Sequence, residues 1–457
     1  MGSAVAADGR SISWREHIVD DPEIGGVPIE GSDGLSMADL DLDGHPDVVS
    51  VHESDTVYDG EPLGHIRIAF GSDDPDRWQL ATLAEGAEAA GAEDVAIGDV
   101  NGDGYPDIVA ACELAHLILF VNPGPGARTE RWERTIPEAT QGRGSYIRVF
   151  LGDFDGDSRL EVVAPNKGAQ NPSLEATERH AISRFELPPD PLDGSAWVEH
   201  ELIRVMVPIN SQPVDLDDDG DLDIVGGSRN EGRIFWLVND GDGGFVERPI
   251  DIHGTSLPPD APRPAPIAGT TRAAVTGFNM DFADLNSDGR IDILLNEWPS
   301  HLVWVEQPEE ATGAWRLHTV GEMAPDHLVG LVLADIDGDG DLDAMTGSYS
   351  QGPREADGEG VGPDAALGRL AWFENGGDPT RPWTRHDISR RKRGMFDKFV
   401  ARDHDGDGDV DFLGTRGNSE PYDGVYWLEQ VRTDEPVAAF APARAEDSEE
   451  MALPGAG

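Results

Sequence analysis

Seven times along the 457 residues a nine-residue acidic pattern returns, Asp-x-Asp/Asn-x-Asp-Gly-x-x-Asp, each copy running straight into a short apolar stretch. Side chains at positions 1, 3, 5 and 9 of such a loop can converge on a hard cation. A carbonyl at position 7 adds an oxygen, and glycine at position 6 allows the sharp turn. The candidate ligands are Asp39, Asp41, Asp43 and Asp47; Asp99, Asn101, Asp103 and Asp107; Asp153, Asp155, Asp157 and Glu161; Asp215, Asp217, Asp219 and Asp223; Asp284, Asn286, Asp288 and Asp292; Asp335, Asp337, Asp339 and Asp343; and Asp403, Asp405, Asp407 and Asp411. Copy three departs furthest, with Ser158 for the glycine and Glu161 for the last aspartate, and is expected to bind most weakly. No copy has the bidentate glutamate at position 12 of a helical EF-hand, because an apolar strand already occupies that position. An acidic turn without metal is the competing reading.

The copies recur at steps of 60, 54, 62, 69, 51 and 68 residues, the mark of a repeat architecture. Each repeat reads as four strands: an apolar stretch before the loop, a second after it, an aromatic-rich third, and a fourth that often carries Trp-x-x-His, as at Trp197/His200, Trp315/His318 and Trp383/His386. β-Branched and aromatic residues bounded by Gly, Pro, Asn and Asp are strand signals, and helical periodicity is nearly absent. The expected fold is all-β, a seven-bladed β-propeller with four antiparallel strands per blade. The last repeat stops after its third strand, whereas Ser11 to Val19 is an orphan Trp-x-x-His strand with no loop before it. Placed as the fourth strand of the last blade, this N-terminal strand closes the ring and leaves no open edge. Residues 1–11 then form a flexible N-terminus, 12–430 the propeller and 431–457 a disordered, acidic, Ala/Pro-rich tail. Inserts longer than the repeat needs fall at 52–64, 166–182, 253–273 and 349–368.

These loops and strands resemble the FG-GAP/VCBS repeat family, the calcium-loop blades of integrin alpha-subunit heads and many microbial secreted proteins. The likeness covers about residues 12–430. It implies that the acidic positions above ligate Ca²⁺, up to seven ions, in the hairpins between strands one and two. Calcium at every equivalent loop suits a scaffold rather than a catalyst, so function is to be sought elsewhere.

The opposite face is where strand two ends and strand one begins, around the channel. Thirteen to fourteen residues past the loop starts stand His52/Glu53, Cys112/Glu113, Asn166/Lys167, Ser228/Arg229, Glu297/Trp298, Ser348/Tyr349 and Arg416/Gly417. Entering strand one are Asp33, Asp94, Tyr146/Arg148, Asn210/Gln212, Asn279/Asp281, Asp326/His327 and Asp397/Lys398. A mouth with His, Tyr, Arg and Lys beside carboxylates suits an acidic or keto sugar, either bound or turned over by β-elimination. For turnover the candidates are His52 or His327 as base, Tyr146 as proton donor, and Arg229 or Lys398 holding the anionic group. Glu53, Arg148, Lys167, Glu297, Tyr349 and Arg416 are candidate substrate contacts. Ulvan lyases and the aldos-2-ulose dehydratase group have similar propellers, a likeness at the level of fold. The alternative is a non-catalytic secreted or surface propeller that recognises a glycan or a protein.

Composition narrows the partners. With 89 acidic against 34 basic residues the net charge is -55, and only Lys167, Lys392 and Lys398 are lysines. Such a balance suits high salt, or reflects a genome that codes Arg over Lys. Nucleic acid and anionic membrane surfaces are poor partners for this field. No run of 18 apolar residues offers a membrane span. The single cysteine, Cys112, excludes an internal disulfide framework. No Ser-His-Asp signature, Walker loop or Cys-x-x-Cys is present. A ring closed on itself is expected to be monomeric. Calcium loops favour an extracellular or cell-surface setting, although Met1 to Arg10 contains no signal peptide pattern; one removed from a longer precursor would leave no trace.

Overall fold

The computed structural model describes residues 4–54, 60–114, 116–263, 267, 269–310, 313–350, 352–354, 356–358, 361–444 and 447–454. They form seven four-stranded antiparallel units in chain order. Blade one pairs Ser32–Ala38, Asp47–His52, His65–Phe70 and Gln79–Glu85 from the axis outward. Blades two to six repeat that meander, and their innermost strands are Ala92–Gly98, Phe150–Gly152, Pro208–Val214, Val275–Ala283 and His327–Ala334. Blade seven takes Phe399–Arg402, Asp411–Arg416 and Gly424–Thr433 from the end of the chain and Ser11–Asp20 from its beginning. In that last pair Trp14 faces Gln430 and His17 faces Trp427. The first strand of blade one packs against blade seven, so the ring is closed.

Period-two alternation gives each strand two apolar faces, and each face fills the seam with one neighbour. Val49 and Val51 point into the cluster shared with blade two, and Val48 into the one shared with blade seven. Trp197, Trp315 and Trp383 are buried in three of the seams, between blades two and three, four and five, and five and six. Histidines of the Trp-x-x-His strands pack on aromatic rings of the adjacent strand. His17, His318 and His386 stack on Trp427, Trp304 and Trp372 of the neighbouring strand at 4.2, 4.2 and 4.4 Å.

Both ends of the chain differ from the expectation. The last strand runs on to Thr433, and Phe440–Ala441 then adds a parallel fifth strand outside Ser11–Asp20. Beyond it Asp447 pairs with Arg391 and Arg416, and Ser448 donates to Asp357 at 2.9 Å. Thus the described part of 431–457 is docked rather than disordered. Composition missed it because its anchors are single charges that meet buried arginines. At the other end Ala6 is buried and Ala7 donates to the carbonyl of Asp337 at 2.9 Å, so residues 4–10 are a docked turn and not a flexible leader. Residues 1–3, 55–59, 264–266, 268, 351, 355, 359, 360, 445, 446 and 455–457 of the expected termini and inserts lie outside the described residues.

Candidate functional site

On the hairpin face the nine-residue loops are nearly superposable in their bonding. The position-one aspartate caps its own turn: Asp39 accepts from the amides of Asp43 at 3.0 Å and Gly44 at 2.8 Å. The position-nine carboxylate is buried and ties the hairpin to strand three. Asp47 accepts from Leu40 N at 2.8 Å and Gly71 N at 2.9 Å, and Asp343 from Ile336 N at 3.0 Å and Asn375 N at 2.8 Å. The same two bonds form at Asp107, Asp223, Asp292 and Asp411. Burial pushes these carboxyls up, to about 6 at Asp107 and about 8 at Asp343.

Three outer carboxylates remain at five of the tips, and two with an asparagine, Asn101 or Asn286, at the tips of loops two and five. In loops one, four and six they offer oxygens within 4.8 Å of one another, a spacing that can hold a metal ion. In loop three the longer Glu161 joins Asp153, Asp155 and Asp157 in such a group, so its set of acids is larger than its divergent sequence suggests. Asp41 Oδ1 and Asp153 Oδ1 are buried with no hydrogen-bond partner. Arg128 from the next blade donates to Asp41 and Asp43 in loop one.

The opposite end of the channel is irregular. Four innermost strands carry a bulge at one shared position, so that Asp33, Glu93, Ile209 and Val329 are skipped in the pairing register. A bulge re-aims a side chain out of the sheet. Each of these residues lies six positions before its loop, where the other blades have Ile147, Phe278 and Asp397. The ring is therefore two-sided at this level. Neighbouring blades seven, one and two supply Asp397, Asp33 and Glu93, while blades three to five supply Ile147, Ile209 and Phe278, which pack together. Gly34 permits the close approach of the acidic blades, since a Cβ there would lie 2.6 Å from the carbonyl of Glu93.

Asp33, Glu53 and Glu93, exposed by 5, 5 and 8%, bring carboxylate oxygens within 4.8 Å of one another. Gln170 donates to Glu53 at 3.0 Å. Lys167 joins from blade three, paired with Glu113. Arg148 lies over the Phe278 ring at 4.5 Å and donates to Asn279 Oδ1 at 3.2 Å and Asp397 Oδ2 at 3.3 Å. Asn279 donates to the other oxygen of Asp397 at 2.6 Å. Burial pushes the Lys167 ammonium down to about 8, against the attraction of Glu93 and Glu53. Burial pushes Glu93 up to about 7, and it raises Asp33 well above the carboxylate range with help from the charges of Glu93 and Glu53.

Of the residues expected at the mouth, Glu53, Lys167 and Arg148 meet in this cluster. Arg229 is half-buried within electrostatic reach of Lys167 and donates to the carbonyl of Pro172 in the insert after strand two. The others stand apart from it. His52 is inside blade one, its two nitrogens bonded to Ser32 Oγ at 2.6 Å and Ser50 Oγ at 3.0 Å, and burial holds it neutral. Tyr146 packs in the seam against Phe185, and burial pushes its hydroxyl up to about 12. His327 is on the rim, edge-on to Trp298 at 4.8 Å and paired across the sheet with Tyr349. Lys398 is close enough to Asp281 to favour its charge. Glu297 anchors the 253–273 insert through Thr255 and the amides of Ser256 at 2.6 Å and Ala274 at 3.2 Å. Arg416 is held by Asp447 of the tail. A cavity of about 320 Å³ opens within that same insert, between Thr255 and Thr271, away from the charged cluster. Glu93 was not among the expected contacts; the constant six-residue offset from the loops is the signal that finds it.

A family model described as FG-GAP-like repeat matches residues 39–110, 99–164, 215–295 and 284–346, together more than half of the chain. Among solved structures the chain is similar to YCF48 from Cyanidioschyzon merolae, at 10% identity over 91% of this chain and 98% of that one, with a TM-score of 0.49. It is similar to BBS1N in complex with ARL6DN, soaked with mercury, at 10% identity over 91% and 96%, with a TM-score of 0.48. It is also similar to an Agrocybe aegerita lectin described as recognising non-reducing terminal N-acetylglucosamine, at 13% identity over 95% and 100%, with a TM-score of 0.47. No curated protein matches the sequence. No helix among the described residues is long and apolar enough to cross a membrane.

Proposed function

The chain belongs to the FG-GAP-like repeat family, and from that premise we propose that it is a calcium-stabilised propeller that takes a carbohydrate at the channel end opposite its hairpins. In this reading Ca²⁺ is held by up to seven hairpins as a structural ion, in an extracellular or cell-surface setting. The donor sets fit a hard cation: all ligands are oxygens, those of loops one, three, four and six are grouped within 4.8 Å, and Asp41 and Asp153 each keep a buried oxygen without a partner. Bound there, the ion supplies charge neutralisation at the hairpin tip.

The two-sided mouth carries the carbohydrate reading. A sugar ring presents hydroxyls at its edge and C–H groups on its faces. Carboxylates from blades seven, one and two accept the hydroxyls, and Ile147, Ile209 and Phe278 cover a C–H face. Lys167, with its ammonium near 8, is suited to take a proton α to a carboxylate or carbonyl, and Arg229 to neutralise the resulting anion. The anion then forms the Cα=Cβ double bond as the Cβ–O bond breaks, and the leaving oxygen takes its proton from solvent; that is β-elimination, the work of a lyase or dehydratase. His327 on the rim is the alternative base. The test is a screen of uronic-acid polysaccharides and keto-sugars for absorbance from unsaturated products, with Lys167→Met expected to lose ~100-fold or more in rate. Turnover undiminished in that variant removes Lys167 from the chemistry.

One observation favours the alternative of recognition without catalysis. Trp298 is 43% exposed on the rim beside His327, an aromatic platform of the kind sugars stack on. Glycan binding that is lost in Trp298→Ala, with no unsaturated product from any substrate, establishes this second reading in place of the first.

A further inference from the structure

We propose that Asp33, Glu53 and Glu93 form a divalent-cation site inside the channel mouth, separate from the seven hairpin loops. Three carboxylates from the strand ends of two blades bring oxygens within 4.8 Å of one another, and each side chain is more than nine-tenths buried. Further acids crowd around them. Asp33, Glu53, Glu93, Asp94, Glu113 and Asp397 are all buried, and among the described residues Lys167 and Arg148 are buried cations beside them. Glu113 already pairs with Lys167, and Asp397 with Arg148. Crowding buried carboxylates together is costly, and added positive charge is the ordinary remedy.

Two further atoms point to a missing partner. Asp33 Oδ2 and Asp94 Oδ1 are buried and have no hydrogen-bond partner, and Asp94 follows directly on Glu93. A bulge in each inner strand turns Asp33 and Glu93 out of the ladder, and Gly34 lets the two strands close on each other. The ligand set is all oxygen, with no imidazole or thiolate, which selects a hard ion such as Ca²⁺, Mn²⁺ or Mg²⁺. Arg229, half-buried nearby, donates to the carbonyl of Pro172. Blades four and six, with Ile209 and Val329 at the same bulge, cannot make such a site.

The test uses the full chain and the metal alone, so it does not depend on whether the mouth acts on a sugar. After loading with MnCl₂ and desalting, elemental analysis of Glu93→Gln and of Glu53→Gln should each give one equivalent fewer than the parent. Asp335→Asn combined with Asp337→Asn should remove a different equivalent, additive with the first. In a manganese-loaded crystal of the parent an anomalous peak should lie among the three carboxylates. Equal stoichiometry in folded channel variants overturns the proposal. So does anomalous density confined to the hairpins, a result that needs no variant to fold.

Discussion

The two ends of the propeller are made from the same strands and obey opposite rules. At the hairpin end every blade repeats a turn capped by its first aspartate, and in six of the seven the ninth residue ties that turn to strand three. At the mouth four of the seven inner strands repeat one bulge, but the side chain on it changes from Asp or Glu to Ile or Val. On the proposed reading the repeated end holds the fold and the unrepeated end carries the chemistry. In a repeat protein, identity between copies marks what stability requires, and departure at an equivalent position marks what a single ring-wide site requires.

If that division is right, removing divalent metal should have the largest effect, and it should be on stability. Each occupied loop at a free concentration 100-fold above its Kd adds about 2.7 kcal/mol, so chelation should lower Tm by ~10 °C or more. Calorimetry with EDTA against calcium buffer reads this directly. An unchanged Tm makes the hairpins plain acidic turns and collapses the comparison.

Next in size is the docked tail, which brings stability to the mouth end. Arg391 and Arg416 are buried, and Asp447 pairs with both. Arg391 retains Glu16 at 2.9 Å and Arg416 retains the Ser419 hydroxyl at 3.0 Å. Asp447→Ala therefore leaves one guanidinium without its carboxylate, at a cost of about 3 kcal/mol in a denaturant melt. A cost below about 1 kcal/mol would return the tail to the accessory role that its composition suggested.

How much of this was legible follows from the same division. The loops, the blades and the closing strand Ser11–Asp20 could be read because each is one instance of a pattern stated seven times. Glu53, Arg148 and Lys167 could be read by counting from the loops. Glu93 was hidden because its equivalents Ile147, Ile209, Phe278 and Val329 read as ordinary strand residues, and only the pairing register reveals the bulge. His52 and Tyr146 had suitable chemistry for the mouth, but flanking context decides orientation. Ser32 and Ser50 hold His52 within its blade, and Phe185 receives Tyr146 in the seam. Long-range charge pairs such as Asp447 with Arg416 leave no local pattern at all.

A third prediction sharpens the claim that the mouth is tuned rather than merely packed. The folded pKa of Lys167, about 8, lies below its ordinary value of 10.5, so the fold favours the neutral amine. Its contribution to stability is complete above 10.5 and is lost as pH falls through 8. Between pH 9 and pH 7 that loss is about 1 kcal/mol. It should disappear when Lys167→Met is combined with Glu113→Gln, which removes the ammonium without stranding its carboxylate. With only three lysines in the chain, ¹³C-methylation and NMR can follow the group itself. One signal should titrate near 8 and vanish in Lys167→Arg. A midpoint near 10.5 would make the cluster an ordinary surface ion pair.

The smallest effect tests whether hairpin copies are interchangeable. Six loops turn at position six through glycine, at φ between 87° and 96°, while loop three makes the same turn with Ser158 at 69°. A side chain in the left-handed region costs roughly 1–2 kcal/mol, and a glycine there loses roughly 0.5–1 kcal/mol of chain entropy on folding. Ser158→Gly should therefore stabilise by about 0.5–1 kcal/mol, a rise in Tm of ~1–4 °C. The bond from the residue 158 amide to Asp153 Oδ2, 2.9 Å, belongs to the backbone and survives the change. Moving loop three toward its siblings thus improves it, as expected where copies share one structural task. The matching change at the mouth, Glu93→Ile toward the apolar majority, should instead abolish ligand or metal binding there. A Ser158→Gly protein no more stable than the parent would mean that loop three, like the bulges at the mouth, has diverged for a purpose of its own.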